Sequence, residues 1–251
     1  MFFEKKENLF VGRFGPLFRN RILDHGFSTR KGGISGSPYD SLNLGYQTGD
    51  VQQHIEENRK RFFHAIKIPS EQLAIPEQIH DGKILNVNNP GNFPETDGLI
   101  TNTTEVVLSV QTADCLPVFL FDPVHRAIGL IHAGWRGTSK KIAQKAVLAM
   151  TDYFHTKPEN LQIFFGPSIG PCCYTVGPDV SRYFSETALA GNKLDLWACN
   201  RDQLIEMGVS ANRIIISRLC TVCHPEWFFS HRQSGGKTGR MMAVFTIKNT
   251  T

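Results

Sequence analysis

The stretch whose reading decides the fold is residues 106–133, VVLSVQTADCLPVFLFDPVHRAIGLIHA. Three apolar runs, at 106–111, 117–121 and 127–132, are separated by the polar segment TADC and by an Asp-Pro turn signal. Runs of this length read as buried strands. They are far too short to span a bilayer, which needs roughly 20 residues. Each of the last two runs also carries an unusual residue at its end, Cys115 before one and His132 at the close of the other.

Working outward, further short apolar runs at 83–87 and 98–101 flank an Asn-Asn-Pro-Gly turn, and others lie at 21–27, 161–165 and 241–247. Helical patterns alternate with them. Asp50 stands as an N-cap with Gln53 in the capping-box position, ahead of a stripe of Val51, Ile55, Phe62, Phe63 and Ile66 with Glu56, Arg59 and Lys60 facing away. Thr138 caps a second helix running to 154, in which Ile142, Ala146, Leu148 and Ala149 are the apolar positions. Two more follow at 179–188 and 198–207. The pattern is α+β with a large sheet component. No linker-like composition divides the 251 residues, so one catalytic domain over 1–251 is expected.

Composition narrows the function classes. A 41% hydrophobic, 20% charged chain is ordinary globular protein with a sizeable core. A net charge of +4 favours anionic ligands mildly but is not the basic stripe of a nucleic-acid binder. The start, MFFEKKENLF, is acidic and lacks a sustained apolar stretch, unlike a signal peptide. A soluble, cytoplasmic protein with no membrane or nucleic-acid partner is expected, with a monomer as the default. In a reducing compartment the six cysteines are then thiols, each serving as packing, ligand or reactive group.

The chemistry concentrates in three segments, QIH ending at His80, QTADCLPVF around Cys115 and LIHAGWRGT around His132. A strand that meets a polar residue and then a Gly- or Pro-containing turn holds that side chain rigidly at the rim of a sheet. One thiolate and two imidazoles are a zinc ligand set that leaves a position open, and by softness they also accept copper. Separations of 35 and 17 positions do not by themselves distinguish a metal site from a buried cysteine beside two hydrogen-bonded histidines. Cys220-x-x-Cys223-His224 looks like half a zinc ribbon, but no second C-x-x-C completes it. With the adjacent pair Cys172-Cys173, these cysteines read mainly as packing, one of that pair standing near the site.

The strings HGFSTRKGGISGSPYDSLNLG, QIH, TADCLPVFLFDP, AIGLIHAGWRGT, GPSIGPCCYTVG and FFSHRQSGGKTGRMMAV, in this order, resemble one family. It is known as the laccase-like multicopper polyphenol oxidases, as peptidoglycan editing factors, and as zinc-dependent purine nucleoside phosphorylases. The resemblance implies an α/β/β/α-type sandwich of stacked mixed sheets flanked by helices, with a metal held by His80, Cys115 and His132. It implies a zinc cofactor, copper being the other candidate, with nucleoside and phosphate as partners. Arg136 is a candidate catalytic clamp on phosphate, and Arg30, Asn43, Arg232 and Arg240 are candidate substrate-binding residues. Asp114, beside Cys115, either orients a ligand or caps a turn.

Three reactions follow from the resemblance. The preferred one is zinc-dependent phosphorolysis of adenosine, inosine or methylthioadenosine to free base and ribose 1-phosphate, accompanied by adenosine deamination. The alternatives are amide hydrolysis in peptidoglycan-precursor editing and copper-dependent phenol oxidation. A multicopper oxidase needs many histidines, largely in His-x-His pairs; nine histidines with no such pair argue against the last.

Overall fold

The computed structural model describes residues 1–249. In chain order its strands are β1 (Phe2–Lys6), β2 (Leu9–Arg13), β3 (Leu23–Ser28), β4 (Leu73–Pro76), β5 (Ile84–Asn86), β6 (Gly91–Phe93), β7 (Gly98–Thr101), β8 (Val107–Thr112), β9 (Leu116–Asp122), β10 (Ala127–Ala133), β11 (Gln162–Phe165), β12 (Leu189–Ala190), β13 (Lys193–Leu194), β14 (Ile214–Ile216) and β15 (Met241–Ile247). The α-helices are α1 (Gly15–Arg19), α2 (Gln52–Ile66), α3 (Trp135–Ser139), α4 (Ile142–Phe154), α5 (Pro178–Ser181) and α6 (Leu196–Glu206).

Alternate residues of the central strands enter different cores, and this is what stacks the layers. On β9, Phe119 and Phe121 point into one core while Val118 and Leu120 point into another. On β10 the split is Ile128 and Leu130 against Ile131 and Ala133, and on β15 it is Ala243 and Phe245 against Met242 and Val244. A side-chain period of two with both faces apolar requires a covering layer on each side.

The inner core lies between a seven-stranded sheet, ordered β1-β2-β3-β15-β8-β4-β6, and a six-stranded sheet, ordered β14-β11-β9-β10-β7-β5. Ala143, Ala146, Val147 and Met150 of α4, with Leu204 of α6, cover the outer face of the second sheet. Phe62, Phe63 and Ile66 of α2 cover that of the first. The α/β/β/α sandwich is therefore the observed architecture.

Several local expectations are corrected. Asp50 does not cap α2: the cap is Val51, without a side-chain bond, and Asp50 instead accepts from Ser35 Oγ and Asn43 Nδ2. Val51 is exposed, whereas Arg59, expected to face solvent, is buried and donates to the Leu44 carbonyl. Thr138 sits inside the short α3, accepting from Asn200, and α4 begins after a left-handed Lys141. Leu148 is exposed rather than core. The expected helix at 179–188 is only the single turn of α5 and a 3-10 turn, Glu186–Ala188. No helix among the described residues is long and apolar enough to cross a membrane.

Candidate metal centre

The register of one hairpin brings two of the three donors together. In the antiparallel pair β9–β10, Leu116 faces Ala133 and Pro117 faces His132. Cys115, one residue before β9, therefore lies beside the end of β10, although 17 positions separate it from His132. The next strands extend the same rim: β7 runs antiparallel to β10 with Gly98 opposite Ile131, and β5 runs parallel to β7 with Ile84 opposite Gly98. The segment before β5 carries His80. The His80, Cys115 and His132 donor atoms lie within 4.8 Å of one another, and the two imidazoles meet edge to face with centroids 4.7 Å apart. His132 is buried and His80 exposed, so the cluster opens to solvent on the His80 side.

Cys115 occupies the point where the chain leaves the first sheet for the second, and the crossing is strained. Asp114 there has φ 93°, and His80 has φ 63°, both in the left-handed region that non-glycine residues avoid. Asp114 is held by Thr221 Oγ1 and the Arg232 amide, which donate to its carboxylate at 2.6 and 2.7 Å. The aspartate thus fixes the crossing rather than touching the donors. The His80 turn is held by a residue that sequence reasoning missed, Asp97.

Asp97 is fully buried just before β7 and serves all of the His80 turn together with His132. Its Oδ1 accepts from the His80 amide at 2.8 Å and faces His132 Nδ1 at 3.1 Å. Its Oδ2 accepts from the amides of Asp81 at 2.6 Å and Gly82 at 3.0 Å. Burial works against its charge, but the His132 hydrogen bond and the Gly82 and His80 amides hold its carboxyl below the usual range. A carboxylate on Nδ1 fixes that nitrogen as donor and leaves Nε2 for a cation, as in carboxylate–histidine–metal triads. The only sequence signal was a Thr-Asp-Gly triplet at the head of an apolar run.

The electrostatics suit a cation. Burial favours the neutral Cys115 thiol, yet the charge of His132 and hydrogen bonds from His132 and His80 outweigh it and bring the thiol down to about 6. Burial also opposes charge on His132, but the Cys115 thiolate and Asp97 raise the imidazole to about 9. The pair is a thiolate and an imidazolium, in which a metal ion can take the place of the proton. Gly134 completes the cradle: a Cβ there would stand 3.0 Å from Cys115 Sγ and 3.3 Å from His80 Cδ2. The donor chemistry and geometry both fit a single metal ion.

The candidate substrate residues sort into two groups. Arg30 is spent on the loop, donating to Asp40 Oδ2, Asp40 O and Pro225 O with its guanidinium over the Phe229 ring. Asn43 is fully buried and internally satisfied: it donates to Thr48 and Asp50 and accepts from the Gly45 and Arg240 amides. Both shape the loop instead of reaching out as ligand-binding side chains. Gly45 is required there, since a Cβ would come within 2.6 Å of the Arg240 side chain.

Arg136, Arg232 and Arg240 behave differently. Among the described residues none of them pairs with a carboxylate, while Arg30 does. Arg240 is largely buried, which lowers its pKa, and the charges of Cys115 and Asp114 act on it in the opposite sense. Arg232 donates to the Thr175 carbonyl and lies over the Tyr174 ring, and Arg136 lies over Trp135. Tyr174, which sequence reasoning also passed over, is buried and feels Cys115, Arg232, Asp114 and Arg136 together; burial first, then the two anions, push its hydroxyl well up. Arg240 therefore feels the charge of Cys115, and Arg136 and Arg232 act on Tyr174, which feels it too.

All six cysteines are free. The packing role expected for Cys172, Cys173, Cys220 and Cys223 fits the buried Cys220 and the half-buried Cys173, which packs on an apolar cluster, but not the exposed Cys172 and Cys223, and the four sulfurs converge on one another.

Comparison with known proteins gives the chain a family. A family model described as multi-copper polyphenol oxidoreductase laccase matches residues 24–248. The chain is 37% identical over 240 residues to the purine nucleoside phosphorylase YlmD of Geobacillus stearothermophilus, covering 87% of this chain and 88% of that protein. It is 37% identical over 231 residues to the purine nucleoside phosphorylase YfiH of Escherichia coli, covering 88% and 92%. The crystal structure of the Geobacillus stearothermophilus YlmD superposes with a TM-score of 0.89 at 32% identity over 98% of each chain. That of the Bacillus licheniformis hypothetical protein YfiH gives 0.88 at 31% over 98% and 99%. With the match spanning nearly the whole sandwich and all three donor segments, the chain belongs to the multi-copper polyphenol oxidoreductase laccase family.

Proposed function

We propose that this protein is a zinc-dependent purine nucleoside phosphorylase that cleaves adenosine, inosine or methylthioadenosine with phosphate, and that also deaminates adenosine. The observation that carries this reading is one three-donor centre with Arg240 in the field of Cys115 and Arg136 and Arg232 in that of the buried Tyr174, none of the three paired with a carboxylate among the described residues. The relatives named purine nucleoside phosphorylase support it. In the same reading the enzyme acts in the cytoplasm as a monomer, through one catalytic domain, on free nucleoside and phosphate.

His80, Cys115 and His132 would hold the zinc, which supplies a Lewis acid at an open position when bound. Asp97 keeps His132 in the tautomer that ligation needs. Arg240, backed by Arg136 and Arg232, would bind phosphate and hold it for attack on the anomeric carbon, while the electron pair of the breaking glycosidic bond leaves with the purine. Tyr174, its hydroxyl held protonated by burial and the nearby anions, would be a further donor to substrate. The family description names several coppers, but among the described residues the donor groups with histidine number one, and it holds two imidazoles. That set favours a single ion over a trinuclear cluster.

The test is phosphate-dependent release of adenine from adenosine by the purified protein, abolished in Cys115→Ala. Inosine formed without phosphate reports the deaminase activity. If nucleosides stay intact with zinc and phosphate present while a nucleotide-linked muramyl peptide is hydrolysed, precursor editing replaces phosphorolysis.

A further inference from the structure

A second convergence of donors lies outside the site just described. Cys172 and Cys173 follow β11 and Cys220 and Cys223 follow β14, and all four sulfurs lie within 4.8 Å of one another. Cys223 Sγ is 3.6 Å from Cys172 Sγ and 3.4 Å from Cys173 Sγ. A disulfide would need about 2.05 Å. Four sulfurs at about 2.3 Å from a tetrahedral zinc stand about 3.8 Å apart, close to the separations observed.

The surroundings are those of a thiolate site. The amide of Gly170 donates to Cys220 Sγ at 3.3 Å, and the Val222 and Cys223 amides are directed at the same sulfur. A C-x-x-C turn whose own amides point back at its first sulfur stabilises a thiolate there. Lys193 Nζ donates to the Cys172 carbonyl at 3.0 Å, placing a positive charge beside a set that would carry net negative charge when fully ligated. The half-ribbon Cys220-x-x-Cys223 lacks a second C-x-x-C in the sequence; the adjacent cysteines of another loop stand in for it.

We propose that Cys172, Cys173, Cys220 and Cys223 form a second, structural metal site that binds one zinc ion as a tetrathiolate. Each thiol releases its proton as its sulfur bonds the metal, so loading liberates protons to the buffer. With four protein ligands the site is closed and takes no substrate.

Its position gives it a purpose. The Ser168 amide donates to Leu219 O and the Thr221 amide to Ser168 O, joining the two cysteine-bearing loops. The same loops hold Asp114 through the Ile169 amide and Thr221 Oγ1. Asp114 precedes Cys115, so a zinc pinning these loops braces the strained crossing that presents the donor cysteine.

The experiment is elemental analysis of the full chain purified under reducing conditions with zinc supplied. Two zinc ions per chain are expected, one for each cluster. One is lost in Cys172→Ser/Cys223→Ser and the other in Cys115→Ala. Cobalt(II) titrated into the metal-free wild-type chain gives a reading independent of how the variants fold, since a tetrathiolate produces intense visible and sulfur-to-cobalt charge-transfer bands that a one-sulfur set does not. Those bands should survive Cys115→Ala. A wild-type chain holding one zinc that disappears in Cys115→Ala overturns the proposal. So does an intact mass two daltons low, reporting a disulfide within the cluster, and so does iron recovered in place of zinc.

Discussion

Replacing Asp97 by asparagine tests the logic of the centre most directly, because the four donors around the carboxylate leave the amide no acceptable orientation. Oδ1 serves the His80 amide and His132 Nδ1, and Oδ2 serves the Asp81 and Gly82 amides. An asparagine offers one oxygen and one NH2. With the oxygen on the Oδ1 side, the Asp81 and Gly82 amides face an N–H and the left-handed His80 turn loses its anchor. With the amide flipped, His132 Nδ1 faces a donor and is driven toward the tautomer that presents N–H to the metal. Either way two charge-assisted hydrogen bonds are lost, each contributing about 1.5–3 kcal/mol.

Part of that loss falls on folding and part on ligation. Comparable changes behind a metal-binding histidine cost roughly 10–100-fold in affinity. Asp97→Asn is therefore expected to bind zinc about 10–100 times more weakly in a competition titration against a chelating indicator. Nucleoside phosphorolysis at limiting zinc should fall in parallel and recover when zinc is raised. Wild-type zinc affinity in a folded Asp97→Asn protein would refute the assignment of this carboxylate to the centre.

Other outcomes follow from the same coordinates. Gly134→Ala places a carbon 3.0 Å from Cys115 Sγ, inside an ordinary contact of about 3.5–4.0 Å, and should cut zinc affinity at least roughly tenfold while costing about 1–3 kcal/mol of stability. An unchanged zinc isotherm would show that the glycine has no part in the cradle. Arg240→Ala should raise the phosphate KM by about ten- to a hundredfold, the equivalent of one charge-assisted contact, with Arg240→Lys in between; an unchanged KM moves phosphate to another arginine. His25 sets an acid limit on stability. It is buried, accepts from the Phe14 amide through Nε2, and burial, reinforced by Arg13, lowers it to about 3. Unfolded, it takes up a proton below about pH 6.5; folded, only near 3, so in that window the unfolded state binds more protons and stability falls with pH. Denaturant unfolding should lose about 1.6 kcal/mol as the pH is lowered from 6.5 to 5 from this group, and His25→Gln should flatten the slope.

The sequence by itself determined the α+β class, the central strands and the donor types, and the layered sandwich was legible only through the family resemblance. The apolar runs at 106–111, 117–121 and 127–132 appear as β8, β9 and β10 to within a residue or so, because a strand buried on both faces leaves an unbroken apolar signature that needs no partner to be recognised. His80, Cys115 and His132 were candidates by the chemistry of their side chains, and the family resemblance, not their spacing, joined them into one ligand set. What the tertiary structure decided was every property that depends on convergence. Arg59 enters the protein because the Leu44 carbonyl is there to receive it. Arg30 is held by Asp40 while Arg240, among the described residues, forms no ion pair with a carboxylate, a distinction invisible in two arginines of equal charge. Asp97 meets His80 and His132, and the four outlying cysteines meet one another, only because the fold brings together loops separated by tens of residues. Local sequence encodes which element forms and which face is apolar. Which distant donors meet is set by how the sheets stack, and that is a property of the whole chain.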